Sequence, residues 1–369
     1  MLTSIKFLAY SDIHHHEYTN GITGDDIYAV EVEALQLMRK HNVDFWLFGG
    51  DRFLSRNPLD ITRARADAAF KEKNDEGIPG YLLVGNHDRW TKSPHSGHSM
   101  GHVYRYTTDL KNLHLMDNRD VYRFNIKGRN IAIHAVPAGH SMEEVPFKFD
   151  ENDDINICFF HDIIKGCRYH NGAVALEGLS PKLVDDPRFM LVLGGDNHQF
   201  QQLPITKTNG YYIGAPCQHN WGDIGSKRGF LLVEIIGDSI TVTHIESSAP
   251  QFIKTESKIK EIEELINWAV ENRPTIINNI VKLTVTCPYE LLHGLDLPKW
   301  ESKLTQLSGA RFVRVKFIFE TKTVQHDEIK KKSDEEEWID FTNFKASELD
   351  GLDLAIVQKL GLDLIRDIK

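Results

Sequence analysis

VDFWLFGGD (residues 43–51) and YLLVGNHD (81–88) decide the fold. Each is a short apolar run that stops abruptly on polar side chains. Continuous apolar runs of this length are the pattern of strands buried on both faces. A helical pattern precedes the first: in AVEVEALQLMRKH (29–41), Val30, Ala34, Leu37 and Met38 share one side. A second helical stretch, ITRARADAAFKEKNDEG (61–77), lies between them and ends near Gly77. Strand, helix, strand in alternation predicts an α/β fold.

The same reading extends outward. IKFLAY (5–10), IAIHAVP (131–137), INICFF (155–160), FMLVLGG (189–195), YYIGAP (211–216) and GFLLVEI (229–235) are further buried-strand candidates. Five runs end in metal-ligand residue types: Asp12 and His14; Asp51; Asn86, His87 and Asp88; His161; Asp196 and His198. Open α/β sheets form their sites beyond the carboxyl ends of strands. Repeated carboxylates at such ends need a partner, because an isolated buried charge is very costly. Cations shared among Asp, His and Asn resolve that cost. The donor mix suits manganese, iron, zinc or magnesium rather than a structural thiolate site.

Past residue 247 the pattern changes. KIKEIEELINWAVENRP (258–274) spaces apolar residues for one helix face, with Pro274 as its expected stop. VKLTVT (281–286) and RFVRVKFIF (311–319) alternate as half-buried strands, with the helical LDLPKWESKLTQL (295–307) between them. A small α+β unit of helix–strand–helix–strand order is expected. HDEIKKKSDEEE (326–337) is charge-dense and reads as a linker. Leu349, Leu352, Ile356 and Leu360 then make a short apolar stripe at helical spacing.

The 369 residues have ordinary composition, 41% apolar and 26% charged. No apolar run reaches the roughly 20 residues of a membrane helix, and no signal peptide is read at the N-terminus. Four scattered cysteines without a CxxC pair suit a reduced, intracellular setting. The formal net charge of −10 argues against a protein that grips nucleic acid with a dominant basic surface.

In order, DIH, GGD, GNHD, a lone His after a strand and GDNH resemble the calcineurin-like metallophosphoesterase superfamily over roughly residues 1–245. A narrower resemblance is to SbcD-like double-strand-break repair nucleases and their phage relatives. It rests on GDRFLSRNP (50–58), HDIIKG (161–166) and YIGAPCQHNWGDIGSKRGF (212–230). The resemblance implies a four-layer α/β/β/α sandwich, a small α+β capping domain and a C-terminal helical segment. The expected divisions are 1–247 (nuclease), 248–322 (capping, DNA-binding), 323–340 (charged linker) and 341–369 (partner-binding).

Carried over residue by residue, the resemblance gives one metal to Asp12, His14, Asp51 and His198. The second goes to Asp51, Asn86, His161 and Asp196, with Asp51 bridging. His87 is then placed to stabilise or protonate the leaving oxygen, and Asp88 to orient His87. Manganese is the first expectation for the two divalent ions and magnesium the second. DNA and an SbcC-like ABC-type ATPase are the implied partners, with room for a homodimer and none for a membrane. The expected compartment is the cytoplasm, that of the host if a phage encodes the chain.

Two departures stand out. Asp196 occupies a position where the family usually has His, and Leu54 stands where it often has a His beside the scissile phosphate. His15 and His16 read as solvated loop, as does SPHSGHSMGH (93–102). Trp221, Lys227 and Arg228 are candidates for shaping the groove. Two other functions compete: a phosphatase or cyclic-nucleotide phosphodiesterase, which needs no tail, and a non-catalytic DNA-end scaffold, which predicts lost ligands.

Overall fold

Parallel strands require crossovers, and the first third of the chain supplies them as helices. The computed structural model describes residues 3–89, 110–140, 146–169, 172–292, 295–319, 333–345 and 353–368. β1 (Ser4–Tyr10) is followed by a small hairpin, β2 (Tyr18–Thr19) and β3 (Ile22–Thr23), and by α1 (Gly24–His41). Next come β4 (Phe45–Phe48), α2 (Asp60–Asp75), β5 (Gly80–Leu83) and β6 (Leu113–Met116). Thr23 caps α1 in a reciprocal capping box with Asp26, so the helix starts before the expected residue 29.

The chain then builds β7 (Asp120–Ile126), β8 (Arg129–Val136), β9 (Ile155–His161), β10 (Leu191–Gly195), β11 (Gln201–Gln202), β12 (Asn209–Tyr212), β13 (Gly229–Ile236) and β14 (Ser239–Glu246). One six-stranded sheet runs β14-β13-β1-β4-β5-β6 and the other β11-β12-β10-β9-β8-β7. The ligand-bearing β1, β4 and β5 are mutually parallel, as are β9 and β10.

The two sheets face each other across a shared core. Phe7, Phe45 and Leu47 meet Ile133, Ile157, Phe159 and Leu193 there. Burying each such side chain is worth roughly 1.5–3 kcal/mol. On the outer face of the first sheet, Leu8, Tyr10, Trp46 and Phe48 pack under Val30, Ala34 and Met38 of α1 and Phe70 of α2. The outer face of the second sheet is covered among the described residues by loops and a 3-10 turn, Pro181–Leu183, through Ile164, Val184 and Phe189.

A third sheet begins with a strand that hydrophobic patterning does not reveal. β15 (Phe252–Lys258) precedes α3 (Glu264–Ile276), β16 (Ile280–Cys287), α4 (Leu297–Ser308) and β17 (Phe312–Phe319). The order is β15-β16-β17, so the unit is strand–helix–strand–helix–strand. β15 escaped notice because FIKTESK is largely polar. Pro274 lies inside the last turn of α3 and does not end it. The helices cover one face of this sheet through Leu265, Trp268, Leu283, Val285, Leu304 and Val313. Phe252 and Ile280 join the core beneath α1, which makes residues 1–318 one compact unit.

Residues 319–369 form a second unit. α5 (Asp334–Phe344) and α6 (Leu354–Ile368) pack together, with Trp338 Nε1 donating to the Gln358 carbonyl at 3.2 Å. The expected linker therefore shortens. Ser333 caps α5 and pairs reciprocally with Glu336, while acidic residues fill its first turn, where the helix dipole favours them. Residues 320–332 lie outside the described residues, as do Leu349 and Leu352 of the stripe and the whole 93–102 segment. Ile356 and Leu360 sit on α6 and are 57% and 60% exposed. Among the described residues, no helix is long and apolar enough to cross a membrane.

Candidate metal centre

The expected ligands converge because their backbones turn sharply where the strands end. Asp12 (φ 55°), His14 (φ 48°), Asp51 (φ 55°) and Asp196 (φ 78°) all adopt left-handed conformations. Such residues are uncommon outside glycine, and strain of this kind concentrates at functional sites. The loops after β1 and β4 are knitted together. Asp12 N–H donates to the Gly50 carbonyl (2.9 Å), His14 N–H to Asp51 (3.1 Å) and His15 N–H to Arg52 (2.8 Å). The glycines of GGD and GNHD permit this approach. A Cβ on Gly85 would stand 2.2 Å from Asp51 Oδ1, and one on Gly50 would stand 2.7 Å from His161 Nδ1.

Asp12, His14, Asp51 and His161 form a buried floor. Asn86, His87, Asp196 and His198 line its more accessible side. His14 Nε2 lies 3.0 Å from His198 Nε2 and 3.7 Å from Asp51 Oδ2. His161 Nε2 lies 3.2 Å from Asn86 Oδ1, 3.4 Å from Asp51 Oδ1 and 3.8 Å from Asp196 Oδ1. Ligand atoms of Asp12, His14 and His198 fall within 4.8 Å of one another, and so do those of Asp12, Asp51 and His161. Two imidazole nitrogens at 3.0 Å can share one proton or present two lone pairs to one cation. Together with the carboxylates, this donor set fits divalent ions with mixed nitrogen and oxygen ligation.

The electrostatics agree. Burial holds His14 down to about 3, so it is neutral and ready to ligate. Burial alone would raise Asp51 and depress His161, but their mutual attraction overrides it, lowering the carboxyl and raising the imidazole well above its usual value. Asp12 is pushed up to about 6 by burial, and burial also raises Asp196. Asp196 N–H lies 3.2 Å from both Asp12 carboxylate oxygens, which ties the last motif to the first.

Asp88 does different work from that expected. Its carboxylate accepts the backbone N–H groups of Asp51 (2.9 Å), Arg52 (2.8 Å) and Gly85 (2.9 Å), pinning the loops that carry Asp51 and Asn86. The His87 ring is oriented by the Leu54 carbonyl, 2.7 Å from Nδ1. Thus Leu54 acts through its main chain at a position where its side chain offers no chemistry. His87 N–H also donates to Asp51 Oδ1 at 2.8 Å.

Two residues of the segment after the last motif support His198. Asp223 Oδ1 is 3.9 Å from His198 Nδ1, an ionic contact rather than a hydrogen bond, and Arg228 Nη2 is 3.0 Å from the same oxygen. Burial opposes the charged form of His198, but Asp223 and Asp12 raise it. Arg228 Nη1 donates to the His198 carbonyl at 2.8 Å, and His219 Nε2 lies 3.1 Å from the Asp12 carbonyl. All three residues belong to the 212–230 segment, so their signal was present without their contacts. His15 and His16 are buried, not solvated.

The calcineurin-like phosphoesterase family matches residues 5–200. The "DNA double-strand break repair protein Mre11" of Methanococcus maripaludis is 24% identical over 296 residues, covering 74% of this chain and 77% of its own. "Putative phosphoesterase 078R" of Invertebrate iridescent virus 3 is 25% identical over 192 residues, covering 52% of each chain, so this chain spans about half the length of that relative. A dimetal phosphatase structure from Danio rerio is 12% identical with a TM-score of 0.45, over 66% of this chain and 97% of its own. With the family spanning more than half of its length, the chain belongs to the calcineurin-like phosphoesterases, hydrolases that use divalent metal ions.

Proposed function

We propose that this chain is a DNA nuclease of the double-strand-break repair type, hydrolysing phosphodiester bonds at the Asp51-centred site. The observation that carries this reading is the face of the third sheet opposite α3 and α4. The register places Lys254, Glu256 and Lys258 of β15 beside Lys282, Thr284 and Thr286 of β16. Arg314 and Lys316 of β17 alternate with buried Val313 and Val315, so they share the face opposite α3 and α4. Among the described residues of the three strands, Lys254, Lys258, Lys282, Arg314 and Lys316 on this face stand against Glu256, on a chain of net charge −10. Concentrated cations on one face are the electrostatic footprint of phosphate-backbone binding. The face adjoins the site through Lys282, whose Nζ is 5.8 Å from the Trp221 ring, in the turn that holds Asp223. The match to the archaeal repair protein also covers more of the chain than the catalytic segment does.

Asp12, His14, Asp51 and His198 would hold one ion, and Asp51, Asn86, His161 and Asp196 the other. Bound there, divalent ions, with manganese preferred, polarise phosphoryl oxygens and lower the pKa of water. The chain's own contribution is orientation. Asp88 rigidifies the Asp51 and Asn86 loops, and Asp223 with Arg228 steadies His198. His87, held by Leu54, supplies a proton to the leaving oxygen. The α5–α6 hairpin, with Ile356, Leu360 and Leu364 exposed, binds an SbcC-like ATPase.

Turnover of labelled single- and double-stranded DNA with manganese or magnesium tests this reading, beside bis(p-nitrophenyl) phosphate and a cyclic nucleotide. DNA hydrolysis is expected. Turnover confined to the small esters establishes the phosphatase or cyclic-phosphodiesterase alternative. DNA binding without any turnover establishes the scaffold.

A further inference from the structure

A charged cluster lies buried behind the metal centre, where the proposed chemistry does not use it. Glu31 of α1 and Lys73 of α2 are each 1% exposed, and His15 is 2% exposed. Lys73 Nζ donates to Glu31 Oε2 at 2.7 Å, and Tyr10 Oη donates to the same oxygen at 2.9 Å. His15 Nε2 lies 3.1 Å from Glu31 Oε1. The ammonium is wrapped by aromatic rings, 5.8 Å from Tyr10, 5.9 Å from Trp46 and 5.8 Å from Phe70.

A buried ion pair is weak evidence for a gain in stability. Desolvating two charges costs several kcal/mol per ion, and well-packed apolar replacements for buried ion pairs are often neutral or stabilising. What the cluster does hold is His15, and the main chain of His15 leads to the site. His15 N–H donates to the Arg52 carbonyl at 2.8 Å, and Leu54 N–H donates to the His15 carbonyl at 3.2 Å. The Leu54 carbonyl then accepts from His87 Nδ1 at 2.7 Å. The path from the ion pair to His87 is hydrogen-bonded or covalent at every step.

We propose that Glu31 and Lys73 are positioning residues that act through His15 to place the Leu54 carbonyl, and thereby set the tautomer and orientation of His87. A carbonyl accepts only, so this placement requires a proton on Nδ1 and turns Nε2 of His87 to the reacting side, where the doubly protonated ring donates Nε2–H to the leaving oxygen. The proposal rests on the reading that His87 acts on the phosphoester, and deepens it.

The test is the double variant Glu31→Leu/Lys73→Met, which removes both charges and leaves no unpaired one. Histidine nitrogen NMR of the metal-free protein should show His87 as the Nδ1–H form in the wild type and as a tautomer mixture in the variant, at undiminished melting temperature. With manganese and bis(p-nitrophenyl) phosphate, kcat should fall about 10- to 100-fold with KM unchanged, the scale of a small misplacement. In a His87→Ser background the same pair of changes should cost nothing further, because the two effects share one route. A folded double variant with wild-type His87 tautomer and kcat overturns the proposal. If the double variant does not fold, His15→Leu carries the same expectations, since it cuts the link and keeps the ion pair. A wild type without phosphoesterase turnover would refute the proposed function, and the metal-free NMR result would then decide this inference on its own.

Discussion

The Nε2 atoms of His14 and His198 stand 3.0 Å apart, nitrogen towards nitrogen, although 184 residues separate them in sequence. This contact makes metal uptake dependent on protons. His14 is neutral through burial, but nearby carboxylates raise His161 and His198 despite burial. A raised imidazole is protonated over more of the neutral range, and a ligand must be deprotonated. Manganese affinity should therefore rise as pH climbs through the pKa values of His161 and His198 and fall as pH drops through them. Calorimetry in buffers of different ionisation enthalpy should detect released protons. Uptake without proton release contradicts this assignment.

His87→Ser should retain manganese binding while slowing turnover about 10²–10⁴-fold, the usual scale of general acid catalysis. The Leu54 carbonyl orients the ring from outside the carboxylate cluster. Loss of an ion on titration would instead place His87 among the ligands, beside His14 and Asp51.

Asp196→Ala should weaken manganese binding. Its carboxylate lies 3.8 Å from His161 Nε2, and its backbone is left-handed as at Asp12, His14 and Asp51. Asp196→His should restore binding and relax the preference for hard ions towards zinc. Indifference of metal affinity to Asp196→Ala would exclude this side chain from the centre.

Lys282→Ala/Arg314→Ala/Lys316→Ala should weaken DNA binding and lower the slope of log affinity against log salt by about 3, near one per phosphate contact. Hydrolysis of bis(p-nitrophenyl) phosphate should not change, because these residues lie on the sheet face and not in the metal centre. An unaltered salt slope would place the DNA elsewhere.

Deleting residues 333–369 should leave manganese-dependent hydrolysis of small esters intact, because residues 1–318 form their own unit. It should abolish co-purification with an SbcC-like ATPase, since Ile356, Leu360 and Leu364 leave with it. Undiminished complex formation by the truncated chain would show that the contact lies elsewhere.

The sequence by itself determined the α/β class and the identities of the converging residues. Strands such as FWLF (45–48) and GYLL (80–83) are buried throughout, so their sequences are continuously apolar and the polar residues at their ends are conspicuous. Edge and half-exposed strands carry no such signal. DVYRFNI (120–126), SITVTHIE (239–246) and FIKTESK (252–258) mix polar and apolar residues and become strands only by pairing with neighbours.

Tertiary structure alone decided the roles of the groups around the ligands. Asp88 looks like a partner for its neighbour His87, but the folded backbone brings it three N–H groups from residues 51, 52 and 85. Leu54 has no polar side chain, and only its carbonyl direction matters. His15, Glu31 and Lys73 meet because α1 and α2 pack on the same sheet face, a relationship with no local sequence period. Hydrophobic patterning is local and leaves a trace in the chain. Hydrogen bonds between distant segments depend on where the backbone passes, and only the packed fold determines that.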